Sequence, residues 1–398
     1  MRPRVAVVAD LREEQWPSMD LVADVLVSGL DAGSHRAVDP FHLCPPMVRR
    51  LTRVPWFGQR ALLNTTDRVI NRYWDYPRWL HDQADRFDLF HIVDHSYAHL
   101  ASTLPAGRSI VTCHDVDAFA GVLPGVAPPS TVSRAMGRRL LAGLRAAARV
   151  VCGSGATRDA LLAHGLVDES RVVVVPYAVH PSFAPEPDRP AESAAARWCG
   201  PPVDGALDIL HVGSTIPRKR IDVLLDTFAA VRRRHPDARL LRIGGPLTTE
   251  QAQQAERLGV AGAIVALPFL DRRTLAAVYR RAALVLQPSE REGFGLPVIE
   301  ALACGTPVLA SDIPPLREAG GLGATYCRTA DLDAWAAAVH ALVDERADDP
   351  VAWAQRRTSA LVHARRFTLA AHARAMTAVY AGVLPGAFER PMALAGSR

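Results

Sequence analysis

Short runs of apolar residues alternate along the chain with longer segments whose apolar positions recur at helical spacing. The short runs are rich in β-branched residues and predict buried strands, whereas the longer segments predict amphipathic helices. In the first half the predicted strands are 4–10, 87–94, 108–115, 148–154 and 171–177. In the second half they are 207–214, 238–245, 262–269, 282–289 and 306–312. Because such alternation produces parallel sheets covered on both faces, the predicted fold class is α/β, with two doubly wound, Rossmann-like halves.

The segment 180–205 breaks this alternation, because it is rich in proline, alanine and charged residues. We interpret it as an interdomain linker with an exposed loop. The predicted domains are therefore 1–185 and 186–366. Doubly wound sheets bind ligands at the carboxyl ends of their strands, so we expect the ligands of this chain in a cleft between the two domains.

Composition limits the classes of function. Of the 398 residues, 49% are hydrophobic and 22% are charged, which is typical of a globular protein with more than one domain. The net charge of +5 suits an anionic partner, but the basic residues are too dispersed to predict nucleic-acid binding. The cysteines are scattered singly, so we predict neither a zinc site nor disulfides, and expect a cytoplasmic protein. No signal peptide or membrane span is predicted.

The stretch 289–312 places two acids around a tight turn that leads into a helix. Glu292 and Glu300 lie eight positions apart, with Gly293 and Gly295 between them. The glycines allow a ligand to approach the backbone, and the free N–H groups of the first helical turn attract an anion. Because carboxylates accept hydrogen bonds from hydroxyls, the pattern predicts a ligand with both phosphate and sugar. The alternative is a purely structural turn.

A second feature is the basic loop "PRKR", residues 217–220, in which Arg218, Lys219 and Arg220 precede a predicted helix. Cations at the amino end of a helix are unfavourable for its dipole. We therefore predict that they serve an anionic ligand, the alternative being a solvated loop.

Together these segments resemble the retaining glycosyltransferases of family 4, which have the GT-B fold. The resemblance is carried by the E-x7-E spacing, by "HVGSTIPRKRIDVLLDTF" and by 267–318. It is strong over about 207–320 and weaker in the first half. It implies two Rossmann-like domains that face each other across a cleft, with 367–398 returning to pack on the first. It also implies transfer of a sugar, with retention of configuration and without metal or cofactor, from a nucleotide-diphosphate sugar to an acceptor hydroxyl.

The resemblance also assigns roles to residues. It implies that Glu292 approaches the hydroxyls of the donor sugar, that Glu300 binds the ribose, and that Arg218 and Lys219 neutralise the diphosphate. The predicted catalytic residues are these two cations, Glu292 and His114, which matches a family histidine near the reacting sugar. Further predicted contacts with the nucleotide sugar are Gly213, Ser214, Leu267, Leu270, Gly293, Phe294, Gly295 and Leu296. Many members have arginine where this chain has Ser214.

Several features stay open to a second interpretation. His114 could be a packed structural residue. The D-x-D patterns at 115–117 and 331–333 are interpreted as a strand end and a helix cap, so no metal site is predicted. The loop 11–20 and the pair Tyr177-Ala178 depart from the family pattern on the acceptor side. The segment 47–60 is either a packed loop or a contact with the acceptor or with the inner face of the membrane.

Two other functions fit the same nucleotide-sugar site. One is a nucleotide-sugar epimerase, which acts on the donor alone, and the other is a non-catalytic nucleotide-sugar-binding subunit. Among acceptors, a sugar, a lipid-linked molecule and a small molecule are all compatible with the sequence. The donor base, the transferred sugar and the oligomeric state are not predicted.

Overall fold

The structure, a computed structural model, describes residues 2–14, 17–32, 37–51, 61–123, 130–201 and 207–388. The chain divides into two compact units. The first unit holds the chain up to Ala178 together with the segment that begins at Leu369, and the second holds Val179–Thr368. Each unit has a parallel sheet and a hydrophobic core of its own.

The sheet of the first unit has six strands in the described residues. They are β1 (Arg4–Val8), β2 (Asp39–Leu43), β3 (Leu89–Ile92), β4 (Ser109–Cys113), β5 (Arg149–Cys152) and β6 (Val172–Val174). Their order is β2-β1-β3-β4-β5-β6, and every pair is parallel. The helices up to β6 are α1 (Pro17–Asp31), α2 (Ala61–Ile70), α3 (Tyr76–His81), α4 (Thr131–Ala146) and α5 (Gly155–Ala163). The strand order reverses between β1 and β3, which is where doubly wound sheets bind ligands.

The second unit repeats this plan. Its strands are β7 (Asp208–Val212), β8 (Arg239–Ile243), β9 (Ile264–Leu267), β10 (Leu284–Gln287), β11 (Val308–Ser311) and β12 (Ala324–Cys327), in the order β12-β11-β10-β7-β8-β9. Its helices are α6 (Arg189–Cys199), α7 (Ile221–Arg234), α8 (Thr249–Arg257), α9 (Arg272–Arg281), α10 (Leu296–Ala303), α11 (Pro314–Gly320), α12 (Leu332–Asp348) and α13 (Pro350–Ala364). Here the order reverses between β7 and β10.

The last helices are α14 (Leu369–Val383) and α15 (Pro385–Phe388). Helix α14 belongs to the first unit, where it packs along α1. A buried hydrogen bond ties it to the sheet, because the hydroxyl of Tyr380 lies 2.8 Å from Nδ1 of His91 on β3. Nε2 of the same ring lies 2.7 Å from Oγ1 of Thr112 on β4. Burial lowers the pKa of His91 to about 3, so the ring is neutral at physiological pH.

The two sheets confirm the predicted doubly wound α/β architecture, and all ten predicted strands are present. Two strands, β2 and β12, were not predicted, and each lies at a sheet edge. The interpretation of 180–205 as a linker with a loop was wrong in its middle part, which forms α6. Asp188 caps this helix, and its buried residues Ala191 and Ala195 pack toward α9. The alanines that made this composition look like that of a linker are therefore the small side chains that pack one face of α6.

Candidate active site

The basic loop and the acidic turn meet at the reversal point of the second sheet. Arg218 and Lys219 lie in a short 3-10 turn, Pro217–Lys219, which follows β7. Glu292 lies in the loop that follows β10, the strand next to β7. The backbone joins the two loops directly, since the amide of Glu290 donates to the carbonyl of Arg218 at 2.8 Å. The sheet topology thus brings together residues that are far apart in the sequence.

Arg220 shapes the basic loop through an unusual backbone conformation. Its φ of 48° is the one positive φ of a non-glycine residue in the described part of the chain. Its guanidinium binds Asp222 at 2.7 Å and lies 3.5 Å from Glu290. A left-handed arginine costs free energy, and such strain is concentrated at functional sites. Here the left-handed residue ends the short turn that carries Arg218 and Lys219 and immediately precedes α7.

Glu292 is the acid that the basic loop contacts. Its Oε1 lies 2.6 Å from Nζ of Lys219 and 2.9 Å from Nε2 of Gln287, and its Oε2 lies 3.4 Å from Nη1 of Arg218. Burial opposes ionisation of this carboxyl, but the ion pair with Lys219, a hydrogen bond from Ser289 and the charge of Arg218 together outweigh it and hold the pKa of Glu292 below its ordinary value. Glu292 is therefore an ionised carboxylate that shares its charge with two cations.

Glu300 has a different environment, one turn inside α10. It is 6% exposed, and its Oε2 accepts a hydrogen bond of 2.9 Å from the hydroxyl of Tyr279 on α9. Burial raises the pKa of Glu300 to about 7, against the weaker lowering effect of Tyr279. The two predicted acids therefore differ in charge state near neutral pH, because Lys219 and Arg218 pair with Glu292, whereas the charge of Arg272 lowers the pKa of Glu300 only weakly against burial.

The turn between the acids contributes backbone rather than side chains. Gly295 has φ 117°, and a Cβ there would lie 2.8 Å from a methyl carbon of Leu316. Leu296 begins α10, with Pro297 in its first turn. The ring of Phe294 is buried against Phe367, with ring centroids 5.7 Å apart. Gly295 thus allows the backbone to turn directly into the amino end of α10.

Four other predicted contacts are distributed over three places. Gly213 and the exposed Ser214 follow β7 directly, on the same edge as the basic loop. Leu267 is buried at the end of β9. Leu270 instead lines a separate cavity of ≈ 470 Å³ between α6 and α9, whose lining does not include Lys219 or Glu292.

His114 lies in the first unit, directly after β4, and both of its ring nitrogens are engaged. Nε2 lies 2.7 Å from the carbonyl of Val93 and must carry the hydrogen, because a carbonyl only accepts. Burial lowers the pKa of His114, so Nδ1 is unprotonated and accepts from the hydroxyl of Tyr177 at 2.6 Å. Gly153 makes room for the tyrosine, since a Cβ there would lie 2.5 Å from its ring.

An acidic cluster at the reversal point of the first sheet was missed by sequence reasoning. Asp10 follows β1, Asp94 follows β3, and both side chains are buried. Burial and the charge of Asp94 raise the pKa of Asp10 well above its ordinary value. His95 lies between Asp94, at 3.3 Å, and Asp115, at 3.5 Å. The sequence signal was only a polar residue at the end of each strand.

The loop 11–20 and the segment 47–60 lie only partly within the described residues. Glu14 pairs with Arg72 at 3.3 Å, while Trp16 and residues 52–60 lie outside the described residues. Asp115 accepts from the amide of Asp117, and Asp331 caps α12 as predicted. In the described ranges, no group of three His, Cys, Asp or Glu side chains is arranged to hold a metal ion. Over the same ranges, every helix is too short or too polar to span a bilayer.

Comparison with protein families gives two matches that together cover most of the chain. Residues 21–183 match the model described as "Glycosyltransferase Family 4", and residues 197–358 match "Glycosyl transferases group 1". The D-inositol 3-phosphate glycosyltransferase of Nocardia farcinica is 32% identical over 346 residues, which cover 83% of this chain and 70% of that protein. The protein of the same name from Streptomyces bingchenggensis is 30% identical over 393 residues, covering 93% of this chain and 78% of that protein.

Solved structures share the fold at low sequence identity. Sucrose-phosphate synthase from Thermosynechococcus elongatus is 20% identical, covers 97% of this chain and 100% of its own, and has a TM-score of 0.70. Anabaena Alr3699/HepE in complex with UDP-glucose is 17% identical, with 96% and 100% coverage and a TM-score of 0.67. These likenesses confirm the predicted GT-B fold.

Proposed function

Because the chain belongs to glycosyltransferase family 4, we propose that it transfers a sugar from a nucleotide-diphosphate sugar to an acceptor hydroxyl, with retention of anomeric configuration and without a metal ion. The observation that carries this proposal is the meeting of Lys219, Arg218 and Glu292 at the reversal point of the second sheet. Cations there suit a diphosphate, and a carboxylate among them suits the hydroxyls of the attached sugar.

The proposed chemistry follows from where charge develops. Cleavage of the sugar–phosphate bond leaves negative charge on the diphosphate, and preorganised cations stabilise that charge without a change in solvent structure. Lys219 and Arg218 supply the stabilising positive charge, together with the amino end of α10. In a retaining reaction on the leaving-group face, the acceptor proton passes to the departing phosphate, so the side chains of this chain need not supply a base. Glu292 orients the donor sugar.

The donor is identified by a thermal-shift screen of UDP-, GDP- and ADP-sugars, each with and without EDTA. A ligand at about 100 times its dissociation constant adds roughly 2.7 kcal/mol to the free energy of unfolding. UDP-glucose belongs in the first set, because the Anabaena structure contains it. Failure of every nucleotide sugar to stabilise the chain would refute the proposal. Turnover that disappears in EDTA and returns with Mn²⁺ or Mg²⁺ would refute metal independence alone.

The acceptor panel starts from the names of the relatives. D-inositol 3-phosphate is tested beside unphosphorylated inositol, because the acidic side chains around Asp10 and Asp94 suit hydroxyls better than a phosphate. The product is analysed by NMR. An α-configured product from an α-configured donor supports retention, inversion refutes it, and an altered donor sugar without transfer identifies an epimerase.

A further inference from the structure

Arg242 is a cation buried inside the second unit. It lies on β8 beside His211 of β7, its partner in the strand register, and is 1% exposed. In the described residues it has no carboxylate partner, and its Nε has no hydrogen-bond acceptor. Burial lowers the pKa of Arg242, yet arginine stays protonated in proteins. A buried charge without a counter-ion costs several kcal/mol, and an anion bound nearby would offset that cost.

The guanidinium holds two loops at the carboxyl edge of the sheet. It donates to the carbonyl of Gly213, which follows β7, at 3.4 Å, and to the carbonyl of Gly245, in the loop after β8. The loops touch, because a Cβ on Gly244 would lie 1.9 Å from the oxygen of Gly213. Arg242 therefore lies beneath the backbone that leads from β7 to the basic loop.

His211, the strand partner of Arg242, and Lys219 border the same small volume. A Cβ on Gly213 would lie 3.1 Å from Nε2 of His211 and 3.8 Å from Cδ of Lys219. Nδ1 of His211 donates to the carbonyl of Leu286 at 2.9 Å, so Nε2 is unprotonated in the neutral ring. Burial, and then the charges of Arg242 and Lys219, lower the pKa of His211 to about 4. The histidine adds no charge of its own.

We propose that Arg242 is a positioning residue that provides a fixed positive charge beneath the diphosphate subsite. The proposal rests on the proposed function and extends it by one residue. Ser214, which follows Gly213, carries no charge, and Lys219 and Arg218 are paired with Glu292. Arg242 has no such partner to give up. Its charge is therefore available to a diphosphate without rearrangement, and it keeps the loops after β7 and β8 in place.

The test compares ligands that differ only in phosphate charge. Calorimetry of the full chain measures binding of a nucleoside, its monophosphate and its diphosphate, with the base chosen by the donor screen. Arg242→Met should weaken the diphosphate about tenfold, the monophosphate less, and the nucleoside hardly at all, because a Coulomb term scales with ligand charge. Ser214→Arg in the same background should restore most of the diphosphate affinity by returning a cation to this place.

Arg239→Met is the matched control. Arg239 lies on the same strand, but its charge is neutralised by Asp208 at 2.8 Å, so its loss should leave all three affinities unchanged. Arg242→Lys keeps a cation and should retain the diphosphate affinity within about threefold. A folded Arg242→Lys variant with a tenfold loss would overturn the proposal even if Arg242→Met does not fold.

Other outcomes separate this proposal from the proposed function. Diphosphate affinity that is unchanged in folded Arg242→Met, or equal losses for nucleoside and diphosphate, would overturn the role of Arg242 alone. Absence of diphosphate binding by the unaltered chain would overturn the proposed function, and this proposal with it.

Discussion

Nζ of Lys219 lies 2.6 Å from Oε1 of Glu292, although the two residues are 73 positions apart in the sequence. The resemblance implied that these side chains bind different parts of one ligand, whereas in the structure they bind each other. Under the proposed function, a diphosphate therefore competes with Glu292 for the charge of Lys219. Once it does, Glu292 becomes available to the hydroxyls of the sugar. Under the proposed function, recognition of the diphosphate and recognition of the sugar are thus coupled.

Lys219→Ala should weaken nucleoside diphosphate binding by about 1.5–3 kcal/mol, the cost of a lost charge-assisted contact. An exposed position would leave folding unaffected, but the side chain of Lys219 is only 12% exposed and that of Glu292 only 7%. Removal of the ammonium leaves a buried carboxylate without its nearest cation, so the melting temperature should also fall. Calorimetry and thermal denaturation measure the two effects. Glu292→Gln in the same background should recover part of the stability; a further loss would contradict the ion-pair explanation.

Glu292→Gln and Glu300→Gln should affect different steps. If Glu300 binds the ribose, its substitution weakens free nucleotide and nucleotide sugar by similar factors. Substitution of Glu292 should leave nucleotide affinity nearly intact and lower kcat, because contacts that tighten in the transition state appear in turnover. Calorimetry with nucleoside diphosphate and turnover on the full donor distinguish them. Equal damage to nucleotide binding by both substitutions would show that the role given to Glu292 is wrong.

Glu300 should make stability depend on pH near neutrality. Its pKa is raised to about 7, so the folded chain binds this proton more tightly than the unfolded chain does. The contribution to stability is complete below the ordinary glutamate pKa and is lost as the pH rises through about 7. The melting temperature of the unaltered chain, relative to that of Glu300→Gln, should therefore fall from pH 5 to pH 8. A constant difference would indicate an ordinary pKa.

Tyr177→Phe should lower turnover about tenfold if His114 acts at the reacting sugar, because the ring loses the hydroxyl that fixes Nδ1. Donor affinity should be unchanged. His114→Ala with Tyr177→Phe should be no slower than His114→Ala alone, since both changes remove one function. Steady-state kinetics test this cycle. Normal turnover with a lowered melting temperature would favour the structural role of His114.

The sequence was informative where one strand or one turn determines the outcome. The ten predicted strands are apolar runs, whereas β2, "DPFHL", contains a proline and was not predicted. The proline is tolerated there because β2 is an edge strand and has only one neighbour. Spacing placed Glu292 and Glu300 on either side of one turn. It could not reveal that Tyr279, 21 positions earlier, contacts one acid while Lys219 contacts the other. Arg242 in "RLLRI" was hidden for the same reason, since its environment comes from neighbouring strands.

The hydrogen bond between His91 and Tyr380 bears on the order in which the chain folds during synthesis. The first unit is discontinuous, and its helix α14 leaves the ribosome only after the whole of Val179–Thr368. Domains generally fold as units in the order of their synthesis. Here the second unit is complete while the hydroxyl that satisfies Nδ1 of His91 is still missing. The half of the protein that is made first is therefore the half that is finished last.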